Sequence, residues 1–179
     1  FRVRAYECDP YGHVNHANYL RYMQEAAFDA SAAVGYDMAR YREMGHQWLI
    51  RESDITYLRP LVYGDTVIVR TWVGDFRRVR SRRMYEMRLE ATGEPVATAA
   101  TEWVYLNVET LRPATVPSEM VAAFWHPDTA AGGRREPFPE APPPPPGIFR
   151  MRRQVEWRDL DQAHHVNNAN YLVYIEECN

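Results

Sequence analysis

Three polar residues recur in this chain at fixed spacing: Asp9, His13 and Asn15, and again Asp161, His165 and Asn167. They sit inside a longer repeat. His13-Val14-Asn15-His16-Ala17-Asn18-Tyr19-Leu20 returns 152 positions later as His165-Val166-Asn167-Asn168-Ala169-Asn170-Tyr171-Leu172 with one mismatch, and at that offset Val3 meets Val155, Tyr22 meets Tyr174 and Glu25 meets Glu177. A carboxylate with an imidazole four residues on is a set that proton transfer and nucleophilic attack use. A packed core has no need of it: apolar residues of similar volume replace one another there, whereas Asp, His and Asn must find hydrogen-bond partners wherever they are buried. The structural alternative is that Asn15 and Asn167 cap the helix that follows while Asp9 and Asp161 brace a loop. A repeat spaced this widely implies two copies of a domain, not the short units of a solenoid.

The elements that position these residues are legible. Residues 1–7 alternate Phe, Val and Ala against Arg, which predicts a half-buried strand. After a loop through Asp9, Pro10 and Gly12, the spacing of Tyr19, Met23, Ala26, Ala27, Ala30 and Val34 predicts a helix from about His16 to Ala33, stopped by Gly35. A short helix is expected near Tyr36 to Met44. Strands follow near 47–59, 66–76, 79–91 and 95–108, separated by Pro60 with Gly64-Asp65, by the Arg77-Arg78 region and by Thr92-Gly93-Glu94. The order β-α-β-β-β-β is an α+β class with the helix on one face of an antiparallel sheet. Pro117 to Phe124 can close the unit with a helix.

The domain organisation predicted is a first domain over 1–125, a Pro-rich linker over 126–147 and the beginning of a second copy over 148–179. The run Pro142 to Pro146 lacks backbone donors and prefers polyproline II, which suits a spacer; a PxxP ligand for an SH3-like partner is the alternative. Some thirty residues cannot bury enough surface to fold alone, so the sequence reads as part of a protein that continues through a second sheet. Docking of the tail on another chain is the other reading.

Composition narrows the function classes. Hydrophobic residues make up 46% of the 179 and charged residues 25%, as in ordinary globular proteins. A net charge of −3 gives no general attraction to nucleic acid or an anionic membrane. No apolar run approaches the roughly 20 residues of a membrane span and no secretory leader is visible. Two cysteines, Cys8 and Cys178, are too few for a disulfide framework and are unmatched under the repeat, pointing to a reducing, cytoplasmic setting. All 21 basic residues are Arg. Lysine Schiff-base chemistry and a P-loop are thereby excluded on this chain.

Cys8-Asp9-Pro10-Tyr11-Gly12-His13-Val14 followed by Asn18-Tyr19 resembles the signature of hotdog-fold acyl thioesterases of the 4-hydroxybenzoyl-CoA thioesterase type. Tyr57-Leu58-Arg59-Pro60-Leu61-Val62-Tyr63-Gly64-Asp65-Thr66-Val67 is similar to that family's tyrosine, proline and Gly-Asp turn. The later copy, Asp159 to Asn168, resembles the second hotdog domain of plant acyl-ACP thioesterases, with one departure: those enzymes carry Asn two residues after the Asp, where this chain has Ala163, and Tyr11 in the first copy. The simpler arrangement centred on Asp remains.

The resemblance implies a hotdog fold, in which a curved sheet wraps the long helix, and hydrolysis of acyl-CoA or acyl-ACP thioesters without metal or redox cofactor. It implies pairing of hotdog domains within the chain or in a homo-oligomer. Asp9 and Asp161 would act as nucleophile or general base, while backbone N–H groups from about Gly12 to Asn15, or from His164 to Asn167, polarise the carbonyl oxygen. His13 and His165 either orient the carboxylate or substrate, or are satisfied structural histidines. Gly12 and Val14 belong to the donor loop; Asn15 and Asn167 are caps first and substrate contacts second; Tyr19 and Tyr171 line or pack the pocket. Glu25 and Glu177, repeated acids inside a helix, either hydrogen-bond the catalytic loop or are solvated or paired structural acids. Arg78 and Arg80, with Arg77, Arg82 and Arg83, form either a landing site for CoA phosphates or an acidic carrier protein, or a solvated hairpin. A metal site at His13 and His16, or at His164 and His165, is rejected because no third ligand recurs at matching spacing. Two other functions remain open: a hotdog hydratase or dehydratase, and a non-catalytic acyl-thioester sensor.

Overall fold

The computed structural model describes residues 1–125 and 139–178. Asn15 opens the long helix α1 (His16–Ala33): its carboxamide oxygen accepts from the Ala17 N–H, satisfying one of the donors that a helix start leaves open. The helix ends at Gly35, whose φ of 84° is a conformation that L side chains resist. Tyr19, Leu20, Tyr22, Met23, Ala26 and Ala27 form its buried face, and that face ends before Val34, which is exposed. A second short helix, α2 (Met38–Glu43), is capped by the Asp37 carboxylate accepting from the Arg40 N–H at 2.8 Å.

Four antiparallel strands follow: β1 (His46–Tyr57), β2 (Val67–Arg77), β3 (Arg80–Leu89) and β4 (Pro95–Asn107), in the spatial order β1-β4-β3-β2. Along β3 the inward residues are Ser81, Arg83, Tyr85 and Met87, the two-residue period of a half-buried strand. Tyr85 and Met87, with Ala97, Ala99 and Trp103 of β4, pack in one core with Tyr19, Met23 and Ala27 of α1. The small alanines allow the helix to sit close to the sheet. Met23, Met87 and Leu61 are all but completely buried, each stabilising the fold by roughly 1.5–3 kcal/mol relative to exposure. A smaller cluster of Tyr36, Tyr41, Tyr105, Val116 and Met120 joins α2 to helix α3 (Ser118–Phe124).

The amino terminus departs from expectation. Residues 1–7 do not form a regular strand: Arg2 makes a lone bridge with Thr66, and Ala5–Glu7 is a 3₁₀ turn. The Glu7 carboxylate accepts from the Arg4 N–H at 2.7 Å and closes the chain into that turn before a ladder can extend. With this change the architecture is the predicted α+β hotdog, a long helix against an antiparallel sheet.

The predicted linker falls largely outside the described residues; 139–147 are exposed and lack helix or strand. Beyond it, the 3₁₀ turn Trp157–Asp159 and helix α4 (Asn168–Glu176) repeat, at the same offset, the turn Ala5–Glu7 and the start of α1. The Asp159 carboxylate accepts from the Glu156 N–H at 2.9 Å, as Glu7 does from Arg4. α4 packs on α1, and Ala169 joins the main core.

Candidate functional site at the second Asp turn

Each Asp closes the same turn. Asp9 Oδ1 accepts from the Tyr11 and His13 N–H groups at 2.9 and 3.2 Å; Asp161 Oδ1 accepts from Ala163 and His165 at 2.9 and 3.4 Å. In both loops Oδ2 receives no hydrogen bond among the described residues. The tight reversal falls on Gly12, φ 81°, and on its counterpart His164, φ 58°. Asn15 and Asn167 then cap α1 and α4 through the N–H groups of Ala17 and Ala169.

The donors expected to polarise a carbonyl are mostly engaged. Gly12 N–H donates to Asp9 O, His13 N–H to Asp9 Oδ1, Val14 N–H to Leu61 O and Asn15 N–H to Glu7 O. The Gly12 to Asn15 amides are therefore spent on holding the loop. In the second copy His164, His165 and Asn167 are engaged likewise. The N–H groups of Val166 and of Asn168, the first residue of α4, have no acceptor among the described residues.

The two loops differ in surroundings. A cavity of about 1140 Å³ lies between the helices and sheet of residues 1–125 and the second loop. Ala27 and Phe28 of α1, Trp48 and Ile50 of β1, Val73 of β2, Arg83 of β3, Trp103 of β4 and Phe124 of α3 line one side; Trp157, Asp161, His165, Val166, Asn167, Asn168 and Tyr171 line the other. Asp9, Gly12, His13, Val14, Asn15 and Tyr19 are not on that wall. Tyr19 is a core residue whose hydroxyl accepts from the Leu61 N–H at 3.2 Å. Burial raises its pKa, and burial likewise pushes the Tyr57 and Tyr85 phenols up to about 12, so all three stay protonated at neutral pH.

The arginines of the β2–β3 hairpin divide. Arg77 pairs with Asp75 at 2.9 Å, Arg80 with Glu102 at 3.1 Å, and Arg78 is exposed. Neither Arg78 nor Arg80 reaches the cavity, while Arg83 is turned inward to it.

Sequence reasoning missed the contacts that join the copies. Asn15 Nδ2 donates to Glu176 Oε2, and Asn167 Nδ2 donates to Gln24 Oε1 at 3.3 Å. Gln24 and Glu176 stand at the 152-residue offset, so these are one contact made twice about an approximate two-fold axis. Arg21 lies on that axis, donating to Asn18 at 2.6 Å and to Asn170 at 2.9 Å. Glu25 and Glu177, singled out for their identity, do not hold the loops: Glu25 is exposed on the cavity wall and Glu177 pairs with Arg153. Looking for similar rather than identical residues at the offset would have pointed to Gln24 and Glu176.

A long helix capped by an Asp turn and packed on a four-stranded antiparallel sheet, with an apolar cavity beside a second such turn, defines the hotdog class of proteins. The chain belongs to the thioesterase-like superfamily, whose family model matches residues 3–124. It is 26% identical to the chloroplastic dodecanoyl-[acyl-carrier-protein] hydrolase of Umbellularia californica over 99% of its own length and 49% of that protein. It thus spans about half the length of the curated relatives it matches. An acyl-ACP thioesterase from Bacteroides thetaiotaomicron superimposes with a TM-score of 0.80 at 18% identity, over 99% of this chain and 70% of that one. A DHNA-CoA thioesterase from Staphylococcus aureus superimposes with a TM-score of 0.65 at 26% identity, over 69% and 85%. Among the described residues no helix is long and apolar enough to cross a membrane.

Proposed function

We propose that the protein hydrolyses acyl thioesters carried on CoA or acyl carrier protein, with Asp161 as the catalytic carboxylate. The observation that carries this reading is the position of Asp161 on the wall of the apolar cavity, beside the amino end of α4. The acyl chain lies among Trp48, Ile50, Val73 and Trp103, and the thioester carbonyl meets the loop. Asp161 Oδ1 is fixed by two backbone N–H groups, which leaves Oδ2 to take a proton from water or to attack the carbonyl carbon itself. The oxygen that gains charge is polarised by the Asn168 N–H at the helix start, where the helix dipole adds to the effect. The water oxygen, or Asp161 itself, adds to the carbonyl carbon, the C–S bond breaks and the thiolate leaves, to be protonated by solvent; where Asp161 was the nucleophile, a water then cleaves the acyl anhydride and frees the carboxylate. His165 and Asn167 position the loop; Tyr171 borders the acyl group. Asp9 has the turn without the cavity and serves to brace α1.

Residues 148–179 are, on this reading, the beginning of a second hotdog domain in a tandem chain, so that the loop of one copy supplies chemistry to the pocket of the other. The carrier is a CoA or acyl carrier protein thioester, as in the names of the relatives above. The test is free-thiol release from a panel of acyl-CoA and acyl carrier protein thioesters by the full chain. Thiol release is expected. Addition of water to an enoyl thioester with no thiol released, or tight binding with neither reaction, contradicts the reading.

A further inference from the structure

Arg83 occupies an inward position of β3, between Ser81 and Tyr85, with 6% of its surface exposed. Strand alternation reserves such positions for residues that pack on the helix, and here a guanidinium stands in one. Among the described residues its neighbours do not neutralise it. The structure gives it a hydrogen bond to Thr71 Oγ1 at 3.3 Å and a place over the Phe124 ring, 5.5 Å from the centroid. Across the ladder stand Val73 and Thr101, and no carboxylate pairs with it among the described residues. Burial lowers its pKa, a shift that the neighbouring Tyr85 and Tyr41 phenols oppose. Arginine nevertheless stays protonated in proteins, so the charge remains.

A guanidinium carries five N–H donors in a planar fork that matches a carboxylate. Among the described residues one hydrogen bond engages that fork, which leaves most of its donors open. The side chain lines the cavity together with Trp48, Trp103 and Phe124. An unpaired buried charge is strongly unfavourable until an anion meets it, and a plain alkyl end placed there strips its remaining water and returns nothing. Phosphates of CoA are an unsuitable partner, because they stay in water whereas Arg83 is enclosed.

Building on the thioesterase reading, we propose that Arg83 is a specificity residue that binds an anionic oxygen at the far end of the acyl group, so that the preferred substrates are monothioesters of dicarboxylic acids. The carboxylate forks onto the guanidinium while the methylene chain lies along the tryptophans and the thioester reaches the Asp161 loop.

The test pairs thioesters of equal length: hexanoyl-CoA with adipoyl-CoA, octanoyl-CoA with suberoyl-CoA, and decanoyl-CoA with sebacoyl-CoA. The full chain is compared with Arg83→Met, which keeps the volume, and with Arg83→Gln, which keeps donors without charge. In the wild-type chain, kcat/KM for the ω-carboxy member of the best pair is expected to exceed its partner by about tenfold or more. Arg83→Met should reverse that order while retaining hydrolysis of the alkyl thioester, and Arg83→Gln should lie between. A wild-type preference for the alkyl member in every pair overturns the proposal, as does an unchanged ratio in a folded Arg83→Met. If Arg83→Met does not fold, the wild-type ratios and Arg83→Gln decide. Binding of free suberate against octanoate, followed by tryptophan fluorescence, separates this inference from the hydrolytic one. Tighter binding of suberate that is lost on substitution supports the site even where no thioester is cleaved, and equal binding of the two acids overturns it.

Discussion

Asn15 donates its side-chain amide to the Glu176 carboxylate, joining the cap of α1 to the end of α4, and the Asn167–Gln24 contact repeats this at the 152-residue offset. The caps therefore do two things at once. Each satisfies its own helix start through its oxygen and holds the opposite helix through its nitrogen, which fixes the Asp161 loop over the cavity.

Glu176→Ala should lower the unfolding free energy by about 1–2 kcal/mol, because the carboxylate accepts from Asn15 and also pairs with His16 Nδ1 at 2.7 Å, both contacts being partly solvent-screened. Asn15→Ala should cost about 1 kcal/mol more, because the cap is lost too. Urea midpoints measure both. An unaltered midpoint in Glu176→Ala contradicts a cross-helix role for the bond.

His164 holds a φ of 58° where the first copy has Gly12. The left-handed region costs a side-chain-bearing residue about 1–2 kcal/mol, so His164→Gly should stabilise the chain by up to about 1 kcal/mol after the added freedom of the unfolded glycine is counted. Gly12→Ala should destabilise it. A Cβ at Gly12 meets nothing within 4 Å, so the loss is of backbone origin. Thermal unfolding of the two variants, shifting in opposite directions, is the check.

The Asp159 carboxylate is held below the usual range by the Glu156 N–H, and further by the Arg153 and Arg158 charges. A folded pKa lower than the unfolded value of about 3.9 gives a contribution that is fully present above that value and disappears as pH falls through the folded pKa. Wild-type stability should therefore fall more steeply than that of Asp159→Asn as pH drops from about 5 to about 3. Parallel curves, read from urea midpoints at each pH, are the contrary result.

Much of the fold was legible because its signals are local. The α1 stripe, the Gly35 stop and the Gly93 turn each depend on a few neighbouring residues, and β1 to β4 fell within a few positions of their predicted spans. The strand expected at residues 1–7 failed because a side-chain bond, Arg4 N–H to Glu7, overrode the alternation. The Asp, His and Asn turns were visible as a repeat. That Asp161 faces a cavity while Asp9 does not was invisible, since both have the same local sequence and differ only in what lies opposite. Arg83 was read as one of a surface cluster for the same reason: inward or outward is decided by strand register, which the run of arginines conceals.

On the proposed hydrolytic reading Asp161, not Asp9, carries the chemistry. Steady-state thiol release by Asp161→Asn and Asp9→Asn, each shown to be folded, measures it most directly. A loss of at least about a hundredfold in kcat is expected for Asp161→Asn, and a change of only a few-fold for Asp9→Asn. Full activity in Asp161→Asn, or the larger loss in Asp9→Asn, contradicts it.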